Sequence, residues 1–258
     1  MKRIVFIQII VFFLSAAFGF QVNLDPSHID VTMRSEGVER RTLTLSNSGK
    51  ETVEVKVYLN DWTFEKNAKS FLPAGATTYT LKNNAKIFPS RFSIDPLESK
   101  SVVLSLTARK DDPDGQYGVV FFEVQPSSKS KNSGLSIGGR LGTMIYKEIE
   151  GKQKRQLQLT SSNIKLKGTL LSINLEGKNP SALLLRPKVT VLLTNDKNEV
   201  LFKSNLSSEW ILLPRSTQFY SGSITVNKID TNSHLSALIT IDLGDDELML
   251  KESKVILE

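Results

Sequence analysis

From Val22 onward, apolar residues recur at every second position. In "ETVEVKVYLNDW", Val53, Val55, Val57 and Leu59 fall in one phase and Glu54, Lys56 and Tyr58 in the other. Successive side chains of a strand point to opposite faces, so this alternation describes a half-buried antiparallel strand. The same period runs through "RRTLTLSNSG", where Leu43 and Leu45 oppose Thr42 and Thr44 before a turn at Asn47-Ser48-Gly49. It returns in "SVVLSLTA", with Val102, Leu104 and Leu106 in one phase. "QYGVVFFEV" is apolar in both phases, which predicts a strand covered on both faces.

The second half starts afresh after the polar stretch "GKQKRQ". "TLLSINLEGKN", "PKVTVLLTNDKNEVLF" and "SALITIDLG" carry the same alternation, and "TNDKNEV" reads as a hairpin turn. No segment sustains a helical period. The expected fold is all-β, with two sandwiches in tandem over residues 20–150 and 151–258.

Residues 1–19 read differently. Lys2 and Arg3 precede the apolar run Ile4–Leu14, and Ala17-Phe18-Gly19 has the small-x-small pattern of a cleavage site. This is the pattern of a secretory signal peptide cut after Gly19, and the run is short for a membrane span. Export would permit disulfides, yet the chain has no cysteine, so stability must come from its β cores.

Several classes of chemistry find no support. The formal charge of +6 includes Lys2 and Arg3, leaving +4 once a leader is removed. Basic residues do not interleave with aromatics in any block, so nucleic acid is not an expected partner. The two histidines, His28 and His234, form no metal-spacing pair, and no nucleophile elbow or phosphate-cradling loop is present. Asp111/Asp112 and Asp245/Asp246 read as solvated turn residues. Trp62, Phe64, Phe88, Phe92, Phe121, Phe122 and Trp210 read as core. The chain is expected to be no enzyme and to need no cofactor, metal or small-molecule substrate.

One stretch is unusual for a soluble protein. After Pro126 comes the Ser/Lys/Asn/Gly loop, then apolar residues at Leu135 and Ile137, with Leu141 and Ile145 in the same phase and glycines between. These side chains either serve a partner or face the domain's own core, and the core reading suits Leu141 and Ile145 best.

The order of several short motifs adds a resemblance. "VNLDPSHIDV", "RRTLTLSNSG", "VEVKVYLNDW", "FPSRFSIDPLESKSVVLSL", "DGQYGVVFFEV" and "GLSIGGRLGTMIYKE" follow one another as in the N-terminal domain of PapD-like periplasmic pilus chaperones. "EWILLPRSTQFYSG" is similar to a turn in their C-terminal domain. The resemblance implies two immunoglobulin-like domains set as a boomerang, periplasmic residence, and a chaperone that donates an edge strand to pilin-like subunits. It places Leu135, Ile137, Gly139 and Leu141 in the donor strand, exposed from Leu135 to Tyr146. It implies an outer-membrane usher as a further partner, and a bare strand edge favours a self-dimer when no subunit is bound. In the family an Arg and a Lys in the interdomain cleft anchor the subunit's terminal carboxylate. Here His28 and Thr143 fall near those positions, and Arg140 and Lys147 are the nearby substitutes. The competing expectation is an exported structural or adhesive protein of immunoglobulin-like domains, with Leu135–Tyr146 in its own core.

Overall fold

The computed structural model describes residues 21–65, 68–127, 138–151, 154–206, 209–227, 229, 234–244 and 248–258. The leader expected at 1–19, Leu135 and Ile137, and Asp245/Asp246 lie outside the described residues. The first half contributes β1 (Val22–Asp25), β2 (His28–Met33), β3 (Gly37–Asn47), β4 (Val53–Glu65), β5 (Ala68–Pro73), β6 (Ala85–Phe88), β7 (Arg91–Ile94), β8 (Ser99–Ala108), β9 (Gly115–Pro126) and β10 (Gly139–Ile149). The second contributes β11 (Gln158–Lys167), β12 (Leu170–Lys178), β13 (Lys188–Thr194), β14 (Val200–Asn205), β15 (Thr217–Thr225), β16 (Ser236–Asp242) and β17 (Leu248–Leu257). The architecture is all-β, as two immunoglobulin-like sandwiches in tandem.

In the first half one sheet runs β1-β3-β8-β6, and the other runs β2-β10-β9-β4-β5 with β7 also against β4. The chain changes sheet near its start, because β1 pairs with β3 whereas β2 lies parallel to β10. Alternation decides which side chains meet between the sheets. Val53, Val55 and Val57 of β4, and Val102, Leu104 and Leu106 of β8, join Leu43, Leu45, Phe122 and Ile145 in one core. Burying each such side chain contributes on the order of 1.5–3 kcal/mol. Strand β9 is buried almost throughout, as its two apolar phases require.

The second half is strung in the order β14-β13-β16-β17-β11-β12-β15. Strand β17 joins its two layers: Leu248–Lys254 pair antiparallel with β16, and Val255–Leu257 run parallel beside β11. Alternate residues of β12, β13 and β16 form its core around Trp210.

The halves meet over the outer face of β9. Leu184, Ile211 and Leu213 join Trp62, Tyr79, Tyr117 and Tyr146 in one buried cluster. Tyr117 is its polar pin. Its Oη accepts the Leu184 backbone N–H at 2.7 Å and is also bonded to Glu148. Burial pushes the Tyr117 hydroxyl well above the ordinary tyrosine range. Burial likewise raises the Glu148 carboxyl, although Arg155, donating at 2.5 Å, pulls the other way.

Two expectations need correction. Phe88 is not core: it is 77% exposed, because it ends the edge strand β6 opposite Val103, in the phase of β8 that faces outward. Asp112 is not a solvated turn residue. It accepts from the Arg109 backbone N–H at 2.8 Å, from Asn84, and from Lys147 Nζ at 3.1 Å. Lys147 lies in the core-facing phase of β10 with a fully buried side chain, and it also donates to Gln116 Oε1 at 2.5 Å. An ammonium there is tolerable only because these acceptors surround it.

Burial works against the charge on Asp112, but the Arg109, Lys147 and Asn84 bonds outweigh it and hold the carboxyl below the ordinary aspartate value. A depressed carboxylate contributes stability above its unfolded pKa, which is lost as pH falls through the folded value. Asp112→Ala is expected to lower stability by about 3–5 kcal/mol in urea unfolding at pH 7, because it strips a counter-charge from a buried ammonium. Asp112→Asn is expected to flatten the acid limb of stability against pH. Tyr117→Phe, which removes the acceptor of Leu184, is expected to cost about 1–3 kcal/mol in the same assay.

Candidate functional site: the half-paired strand β10

Strand β10 pairs with β9 along Gly139–Glu148, but with β2 only from Met144 to Ile149. Gly139–Thr143 therefore has a strand on one side alone among the described residues. The expected edge is thus shorter than Leu135–Tyr146 within the described chain, because β2 covers it from Met144. The boundary is built by the loop before β2: the Met144 N–H donates to Ser27 O at 3.0 Å, and Thr143 Oγ1 donates to Pro26 O at 2.8 Å.

Backbone groups of a strand point to alternate sides along it. The Met144 N–H faces the β2 side, so the N–H and C=O groups of Arg140 and Gly142 face the uncovered side. These are the donors and acceptors a further strand would use.

Side chains divide by phase. Leu141 packs, half-buried, against the core of its own sandwich, and Ile145 is fully within it. Gly139 is half-buried in the same phase. Gly142 lies in the outward phase, directly across from Phe121. A Cβ at Gly142 would come within 2.9 Å of the Phe121 ring and of Val119, so only glycine lets that ring lie across the strand. Arg140 is exposed and stacks its guanidinium 4.1 Å from the Phe121 centroid, with Phe71 at 5.7 Å. Phe71 and Phe121 meet edge-on at 4.9 Å.

The anchor candidates separate sharply. His28 stands opposite Met144 at the start of β2, with its side chain 63% exposed and Asp30 at 3.9 Å. Arg140 sits at the other end of the open segment. Lys147 is held inside the sandwich by Asp112 and Gln116. A cation that sequence reasoning missed enters from the second half. Arg186 stacks 4.4 Å over the Tyr146 ring and is ion-paired with Asp30. Burial pushes the Tyr146 hydroxyl up to about 12, with Arg186 opposing the shift. Nothing in "LLLRPKV" links Arg186 to Asp30, 156 residues away. Among the described residues no group of three metal-ligating side chains is gathered. The arrangement offers a half-satisfied ladder flanked by exposed basic side chains.

No protein-family model matches the chain, and no curated protein matches it in sequence. Its fold does match solved structures. A class 5 fimbriae chaperone, CfaA, superposes with a TM-score of 0.50 at 12% identity, covering 90% of this chain and 99% of that one. A chaperone–tip adhesin complex of CFA/I fimbriae biogenesis gives 0.50 at 13% identity, covering 90% and 98%. The chain shares the two-domain fold of these fimbrial chaperones at 12–13% sequence identity.

Proposed function

We propose that this chain is a periplasmic, non-enzymatic chaperone that binds and stabilises pilin-like subunits by lending them an edge strand. The observation that carries the reading is the one-sided pairing of Gly139–Thr143. An extended segment laid along that edge would complete the ladder, with main-chain bonds supplying affinity and alternate side chains supplying fit. Leu135 and Ile137, which lie outside the described residues, share the sequence phase of Gly139 and Leu141 and are assigned to the same donor segment. The likeness in fold to a chaperone solved with a tip adhesin supports the same reading.

The chain is exported through a leader at 1–19 and divides into domains at 20–150 and 151–258. An outer-membrane usher receives the loaded complex. In the free protein, two copies cover each other's edges. Arg140, His28 and Arg186 are the basic side chains offered to a bound subunit's carboxylate. Lys147 is committed to the interior and takes no part.

The test is capture from the protein's own periplasm with the tagged mature chain, followed by mass spectrometry. Near-equal recovery of small exported β-rich subunits is expected. Leu135→Ser with Ile137→Ser is expected to abolish that recovery and leave the melting temperature unchanged. Full recovery with the double variant would overturn the mechanism. Recovery of the protein alone, or only with envelope or matrix components, and a lowered melting temperature in the double variant would assign both residues to the core of a structural or adhesive protein. Leu141→Ala is expected to cost about 1–2 kcal/mol in urea unfolding, since Leu141 also packs on its own core.

A further inference from the structure

The outer face of the β4-β9-β10 sheet carries one charged row. Lys56 of β4 stands opposite Glu123 of β9, and Glu123 stands opposite Arg140 of β10. The signs alternate across the sheet and end on a cation at the open edge. Arg140 does not close onto Glu123. Its guanidinium lies on Phe121, and it forms no ion pair or hydrogen bond with any described residue. Glu123 Oε1 instead accepts from Gln125 at 3.3 Å. Stacking on two aromatic rings holds the planar fork in place beside the edge and leaves its N–H groups unoccupied.

Residues directly opposite each other in neighbouring strands share a face. A strand added along Gly139–Thr143 must therefore place one outward side chain next to Arg140. We infer that Arg140 reads charge at that position, so the segments this edge accepts carry Asp or Glu opposite Arg140 and exclude Lys or Arg there. The inference rests on strand addition at β10, and it concerns an outward side chain of the incoming strand, not its terminal carboxylate. An acidic side chain would continue the alternation of Lys56, Glu123 and Arg140. A basic one would set like charges side by side, with Gly142 giving it no neighbour to shift onto.

The probes are two synthetic nine-residue peptides of alternating Val and Ser, capped at both ends. They differ only at the central Ser-phase position, Asp in one and Lys in the other. Binding to the ¹⁵N-labelled mature chain is followed by amide shifts of Arg140 and Gly142 at low salt. The Asp peptide is expected to bind about tenfold more tightly than the Lys peptide, within the range of cross-strand charge pairs. The preference is expected to vanish in Arg140→Gln and to reverse in Arg140→Glu, while the amide shifts persist. Equal binding of both peptides, or a preference that survives Arg140→Gln, would overturn the inference and leave strand addition standing. Absence of shifts at Arg140 and Gly142 with either peptide would remove strand addition, and this inference with it.

Discussion

From Gly115 to Phe122, strand β9 leaves no face to water, and much of the molecule is arranged around that fact. Its inner phase, Val120, Phe122 and Val124, fills the first sandwich. Its outer phase is aromatic and apolar from Tyr117 to Phe121, so something must cover that stretch. At the Tyr117 end the cover is the second half of the chain, through Leu184, Ile211 and Leu213. At the Phe121 end it is Arg140 and Phe71, which pack on the Phe121 ring where that ring lies over Gly142. The joint between the halves and the aromatic platform at the open edge thus answer the same demand at two ends of one strand.

Burial on that scale forces polar groups indoors, where each needs a partner. Tyr117 meets this by taking the Leu184 N–H while bonding Glu148. Lys147 meets it by drawing Asp112 out of a surface turn and Gln116 from the neighbouring strand. Such groups add little net stability compared with apolar replacements, but they tolerate few alternative packings. The joint and the interior of the first sandwich are both specified in this way.

The fold was legible because alternation is a local signal. Val53, Val55 and Val57 declare their face within five residues, and "YGVVFFEV" declares two buried faces by having no polar phase. What stayed hidden was every feature that depends on which strand lies next door. Asp112 looks like any turn acid until β10 sets Lys147 beside it. Phe88 looks like core until its pairing with Val103 turns it outward. Arg186 and Asp30 meet only through the packing of two domains. The edge of β10 was readable as a glycine-loosened apolar strand, but its limit at Met144 was not, since β2 lies more than a hundred residues earlier in the chain.

That limit has a geometric consequence. The sheet-changing loop ends in Ser27 and His28, which occupy the side of β10 at Met144. A chain laid along the uncovered edge must halt there. Within the described residues the berth is the five positions Gly139–Thr143, roughly 16 Å at about 3.3 Å per residue. The start of β2 would thus be a mechanical stop for such a chain. It would set the register of a segment docked against β10 by where that segment runs out of room, before any side chain is consulted.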